Sequence, residues 1–219
     1  MCRGVFVFGV SVIIHTMKQV VWIHGGTAFN IYDDYIEDLK VKPVYRDRLT
    51  FSPMWYQKLD SALGGSVEVL LPTMPGKQNA SFEEWSIWFE RLQEVFEDDV
   101  VLVGHSLGAI FLAKYFASNN LPKKAKAVLL LAGPHSDEST EDLGGFKITT
   151  KDSLDNIYKS AKRVVFVHAL DDPVVNIYEQ DRFKESLPMA EYRTMPGPDH
   201  FMRADFPEMV QLIKGLLDE

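Results

Sequence analysis

Short apolar runs alternate along the chain with longer stretches whose apolar residues return at helical spacing. That alternation predicts strands of a parallel sheet joined by helical crossovers. Residues 19–23 form the first run, β-branched and stopped by Gly25 and Gly26; 67–71, stopped by Pro72, is the second. The runs 100–103, 127–131 and 164–167 lack polar alternation, as expected of strands covered on both faces. Residues 190–194 supply a last strand.

Between the strands the spacing predicts helices over 32–39 and over 54–63, the latter ended by Gly64 and Gly65. A helix over 81–96 opens on Ser81 and Glu84, a capping box, and aligns Phe82, Trp85, Phe89, Leu92 and Phe96 on one face. The segment 107–117 is apolar almost all round, so it reads as a buried helix. Asp205 is expected to cap a final helix that turns Met209, Leu212, Ile213, Leu216 and Leu217 inward. The polar stretch 136–160, with Gly144 and Gly145 inside it, is long for a loop. It is expected to hold a helix and to act as a small lid.

The first 17 residues stand apart. Arg3 precedes an apolar run over 5–14 that loosely resembles a secretion signal. The run is too short to span a bilayer, and His15, Thr16 and Met17 follow where a cleavage site would need small residues. Met17 opens MKQVVWIHGG, which reads as a natural start, so 1–17 is expected to be an upstream extension or an extra edge strand. Residues 18–219 then form one domain, without internal repeats or a linker. The net charge of −8 speaks against nucleic-acid partners, and a cytoplasmic location away from membranes is expected. The single cysteine, Cys2, forms no internal disulfide and belongs to no zinc-type Cys/His cluster.

Candidate chemistry centres on Gly104-His105-Ser106-Leu107-Gly108, which matches G-x-S-x-G. The motif follows a core strand and opens a helix, the context in which such a serine is presented as a nucleophile. In that arrangement the acid and then the histidine come later in the chain. Of the later histidines, only His200 lies beyond the last strand and before the final helix, in the turn-rich loop 196–201. His135 reads as a structural or rim residue and His168 as a packed or hydrogen-bonded neutral imidazole. The acid is Asp172 or Asp171, both just past the strand 164–167. Pro173 gives Asp172 a set direction and favours it.

The strand 19–23 ends in His24-Gly25-Gly26-Thr27, where a backbone N–H can approach a substrate carbonyl. Gly26 and Leu107 are the expected oxyanion donors, with Thr27 as the alternative to Gly26. His24, Thr27 and Met74 are candidate substrate contacts, Met74 through the proline-rich loop 72–75. Trp85 and Trp88 read as core or helix-surface residues.

The phrases WIHGG, LLPTMPGKQNASFEEW, VLVGHSLGAIFLAKY and VHALDDPVV, with the late DHF, resemble the small serine hydrolases of the retinoblastoma-binding-protein-9-like group. The resemblance runs over residues 18–217. It implies an α/β-hydrolase fold, a mostly parallel central sheet with helices on both faces and a minimal lid. It also implies a cofactor-free, metal-free carboxylesterase acting on small esters, with Ser106, Asp172 and His200 at its centre. The L-x-C-x-E motif is absent, so no retinoblastoma-type pocket partner is expected. Two alternatives remain open: a hydrolase-fold binding protein without turnover, and an aminopeptidase or amidase.

Overall fold

All six predicted apolar runs pair into one parallel sheet in the computed structural model, which describes residues 17–136, 142–197 and 199–218. The strands are β1 (Lys18–Ile23), β2 (Val67–Leu70), β3 (Val101–His105), β4 (Ala125–Leu131), β5 (Ala161–Ala169) and β6 (Glu191–Met195). Their order is β2-β1-β3-β4-β5-β6, and every ladder is parallel. The chain steps outward from β1 to β2, then returns to lay β3 on the other side of β1. The ends of β1 and β3 therefore flank a topological switch point, where open α/β sheets bind ligands.

The helices are α1 (Tyr32–Val41), α2 (Leu59–Ala62), α3 (Phe82–Leu92), α4 (Leu107–Ser118), α5 (Ile157–Ser160), α6 (Tyr178–Ser186) and α7 (Pro207–Asp218). Successive strand residues face opposite ways and feed two cores. Val21, Ile23, Leu102 and Val128 pack with Trp85 and Phe89 of α3 and Phe111 and Phe116 of α4. Val20, Trp22, Val101 and Val103 pack with Leu59 of α2 and Met209, Ile213 and Leu216 of α7. Every residue of β3 is buried, whereas the edge strand β6 has none that is. Among the described residues no helix is long and apolar enough to cross a membrane.

Three expectations change. The segment 54–63 is not one helix but a 3₁₀ turn, Trp55–Lys58, followed by α2. Tertiary bonds set the break: the Trp55 backbone N–H donates to Arg203 O at 3.0 Å, and its indole to Phe201 O at 2.9 Å. The helix predicted to reach residue 96 ends at Leu92 and tightens into a 3₁₀ turn, Gln93–Val95. Ser81 caps it by accepting from Glu84 N. Asp205 is not the cap of the final helix. Phe206 stands in that position, its carbonyl accepting from Val210 N at 3.1 Å, and Asp205 pairs with Lys58 at 2.9 Å. Pro207 at the first helical position costs no hydrogen bond there.

The stretch 136–160, expected to hold a helix and act as a small lid, contains α5 at its end. The described part of 136–160 packs into the core through Leu143, Phe146, Ile148, Leu154 and Ile157. Lys114 of α4 holds it from outside, donating to Gly145 O and Lys147 O. It is polar in sequence but anchored by apolar residues at irregular spacing. The expectations for residues 1–16, with Cys2, and for residues 137–141 of the lid lie outside the described residues.

Candidate active site

Ser106 stands between β3 and α4 with φ 54° and ψ −120°. A positive φ on a residue bearing a Cβ costs roughly 1–3 kcal/mol, so the surroundings must enforce it. They do: Ser106 N donates to Leu131 O at 2.8 Å, and Ser106 O accepts from Ala109 N at 2.8 Å. The flanking glycines let the elements close. A Cβ on Gly104 would lie 2.4 Å from Gly108 O, and one on Gly108 would lie 2.3 Å from Ile23 O. Strand β1, strand β3 and the start of α4 thus meet backbone to backbone, and the serine is set at a helix N-terminus.

His200 Nδ1 lies 2.8 Å and 3.1 Å from the two carboxylate oxygens of Asp172. A carboxylate only accepts, so Nδ1 carries the proton and Nε2 is left as an acceptor. The Asp172 side chain is fully buried, and its Oδ1 also accepts from Val174 N at 2.8 Å and Val175 N at 3.0 Å. Burial alone would raise its pKa. The His200 hydrogen bond and charge, with the two backbone donors, outweigh burial and hold it below the usual carboxylate value. Asp171, the alternative, is exposed. The structure brings Asp172 to His200.

Two further histidines brace this pair. His168 is fully buried and donates from Nε2 to Val175 O at 2.8 Å, which fixes the turn that encloses Asp172. Burial lowers its pKa and keeps it neutral. His105 donates from Nε2 to the backbone carbonyl of His200 at 2.8 Å, and its ring lies on Trp22 with centroids 5.8 Å apart. Burial first, then the nearby His200, push its pKa down to about 3. His135 lies elsewhere, in a separate hollow of about 490 Å³ with Arg182 and Asp152. Burial and the Arg182 charge lower its pKa to about 4.

On the other side of Ser106, Gly26 lies against the Lys77 carbonyl, which would be 2.5 Å from any Cβ placed there. Leu107 opens α4, so its N–H has no intrahelical acceptor. These two groups remain the candidate oxyanion donors. The alternative, Thr27 N, is taken by Lys77 O at 2.9 Å, and Thr27 Oγ1 by Gln78 O at 2.8 Å. His24 links two loops: Nδ1 donates to Gly25 O at 2.6 Å, and Nε2 accepts from Met74 N at 2.9 Å. Burial lowers its pKa, and the Lys77 charge adds to the shift.

Ser106, His200, Gly26 and His24 line one cleft of about 310 Å³. Thr27 and Met74 do not; Met74 is 1% exposed in the core and serves through its backbone. The described part of 136–160 does not line it either. Trp85 is buried with its indole donating to Pro75 O at 2.7 Å, and Trp88 lies on the helix surface. Sequence reasoning missed Trp22, Tyr56, Lys77, Val174 and Met202 as cleft residues. Val174 and Met202 each fall two positions after a chosen site residue, and Lys77 ends the proline-rich phrase, so spacing held some signal. Trp22 and Tyr56, stacked at 4.5 Å with planes 4° apart, come together only in the fold. Among the described residues no group of three or more His, Cys, Asp or Glu is placed to hold a metal ion.

Comparison with known proteins fits this geometry. A family model described as serine hydrolase matches residues 45–202. No curated protein matches the chain. Among solved structures, the ydeN gene product of B. subtilis is 20% identical, with 92% of this chain and 100% of that one covered at a TM-score of 0.71. The esterase domain of a Rhodothermus marinus protein is 17% identical, with coverage of 94% and 86% and a TM-score of 0.56. Est1E of Butyrivibrio proteoclasticus, solved with ferulic acid bound, is 15% identical, with coverage of 91% and 86% and a TM-score of 0.54. These likenesses are of fold. The family match spans most of the chain and includes the elbow, Asp172 and His200, so the chain belongs to the serine hydrolase family and carries the α/β-hydrolase fold.

Proposed function

We propose that this protein hydrolyses small carboxylic esters through an acyl-enzyme on Ser106. The observation that carries the reading is the strained Ser106 turn opening into the cleft that His200 enters with Asp172 bonded behind it. His200 Nε2 takes the serine proton as Oγ attacks the ester carbonyl. The oxyanion that forms accepts from Gly26 N–H and Leu107 N–H, next to the positive end of the α4 dipole. Collapse expels the alcohol, which takes the proton back from His200. Water then enters, gives its proton to His200 and attacks the acyl group; release of the acid restores the serine. Asp172 stays ionised throughout and stabilises the imidazolium.

The name of one structural neighbour, the esterase domain of a Rhodothermus marinus protein, agrees with an ester substrate. The test is Ser106→Ala assayed with p-nitrophenyl acetate and with a fluorophosphonate probe. Labelling should vanish, and kcat should fall by about 10⁶, the size known for loss of a triad nucleophile. A variant that keeps more than a few per cent of the activity would overturn the assignment. A folded wild-type protein that neither labels nor turns over would favour a binding role instead.

A further inference from the structure

The cleft has two unlike walls, and the strand order sets them apart. Ser106 follows β3. The loops after β1 and β2 bring Gly26 and Lys77 to one side, while those after β5 and β6 bring Val174 and Met202 to the other. Val174 and Met202 are 40% and 46% exposed, apolar surface left open at the mouth.

Lys77 is built into its wall. It follows Gly76, whose φ of 54° turns the chain, and Asn79 N closes that turn on Gly76 O at 2.7 Å. Trp85 holds the turn from behind through Pro75 O. The Lys77 carbonyl accepts from Thr27 N at 2.9 Å and packs on Gly26. The root of this lysine is thereby locked beside the candidate oxyanion donor, and its charge is felt at His24. Among the described residues no carboxylate pairs with Lys77, although Lys18, Lys40, Lys42, Lys58, Lys123 and Lys184 each have one. Among the described residues no acidic side chain lines the cleft, since Asp172 is enclosed behind His200. In a chain of net charge −8, an exposed lysine without a carboxylate partner among the described residues thus shares the cleft with the nucleophile.

We propose that Lys77 is a specificity residue, and that the substrates are esters bearing a carboxylate, held by Lys77 on the β1–β2 side of Ser106, with a short apolar group against Val174 and Met202. Among the described residues the cleft lining holds one lysine and no arginine, a single positive charge that one carboxylate balances. The inference rests on the esterase reading above.

The experiment compares kcat/KM within two matched pairs: the mono-p-nitrophenyl ester of adipate against p-nitrophenyl hexanoate, and p-carboxyphenyl acetate against p-carbamoylphenyl acetate. The first pair puts the anion on the acyl part, the second on the leaving group. In at least one pair the wild type should favour the anion, and added salt should shrink the preference. Lys77→Gln should cut the anionic-to-neutral ratio by about two- to fivefold, as expected for an exposed ion pair. Lys77→Arg should keep the preference and shows that the loss is one of charge. Ratios that are the same in wild type and Lys77→Gln for both pairs would overturn the inference while leaving the esterase reading intact. Absence of any Ser106-dependent hydrolysis of the neutral esters would instead overturn the esterase reading, and this inference with it.

Discussion

Asp172 keeps both carboxylate oxygens occupied, and its environment separates it from its neighbour in sequence. Its Oδ1 accepts two backbone N–H groups, and its Oδ2 lies 2.8 Å from His200 Nδ1, while Asp171 is exposed. Asp172→Asn replaces an acceptor by a donor opposite a donor and releases the wrong tautomer of His200. It should cut kcat by about 10⁴. Asp171→Asn should cost far less, because no hydrogen bond of the site depends on it. Kinetics of both variants on one ester, with a melting curve on each, check the ranking; the reverse order would move the acid to Asp171. At this scale much was legible. The order of Ser106, acid and His200 follows from one motif and from where the strands end, and Pro173 pointed to Asp172. Met74 and Thr27 were misplaced because sequence shows which loop a residue occupies but not which way its side chain turns. His105 gave no signal as a brace, since its partner is a carbonyl, which every residue has, whereas His168 was legible as a hydrogen-bonded neutral imidazole but not its partner.

At the scale of elements, the strands and the long helices followed from apolar periodicity, and the irregular segments did not. The segment 54–63 has helical spacing, yet Trp55 must reach the backbone of 201 and 203, and those bonds turn its first half into a 3₁₀ turn. The stretch 136–160 is polar in sequence, yet a few apolar residues anchor its described part. Phe146 is fully buried, with its ring 5.1 Å from Trp85 and 5.6 Å from Phe82. Phe146→Ala should therefore destabilise the protein by about 3–5 kcal/mol, as for other large-to-small core changes. KM for p-nitrophenyl acetate should stay near the wild-type value, because the described part of this segment does not line the cleft. Denaturant melts and steady-state kinetics measure the two effects separately. A large change in KM without loss of stability would instead point to a lid role for this segment.

The whole molecule carries a pH dependence that comes from burial, of which the sequence reading held only the neutral, packed His168. His24, His105, His135 and His168 all have lowered pKa values, each caused first by burial, to about 3 for His105 and about 4 for His135. In the unfolded chain each would titrate at the ordinary value of about 6.5. Below that pH the unfolded state binds protons that the folded state refuses, so acid favours unfolding. The slope is about 1.4 kcal/mol per pH unit for each histidine held neutral. It should set in as pH drops below about 6.5 and, for His105, persist down to about pH 3. Asp172 acts further down: its folded pKa lies below that of the unfolded chain, so its contribution is present above the unfolded value and is lost as pH falls through the folded one. Urea melts of the Ser106→Ala protein between pH 7 and pH 4 isolate this behaviour from catalysis. Stability should fall steadily with acid, and His105→Gln should lower the slope over that range by about one histidine's worth. The same slope in both proteins would show that His105 is protonated in the fold, and the bond from His105 to the His200 carbonyl would then hold a cation beside the base.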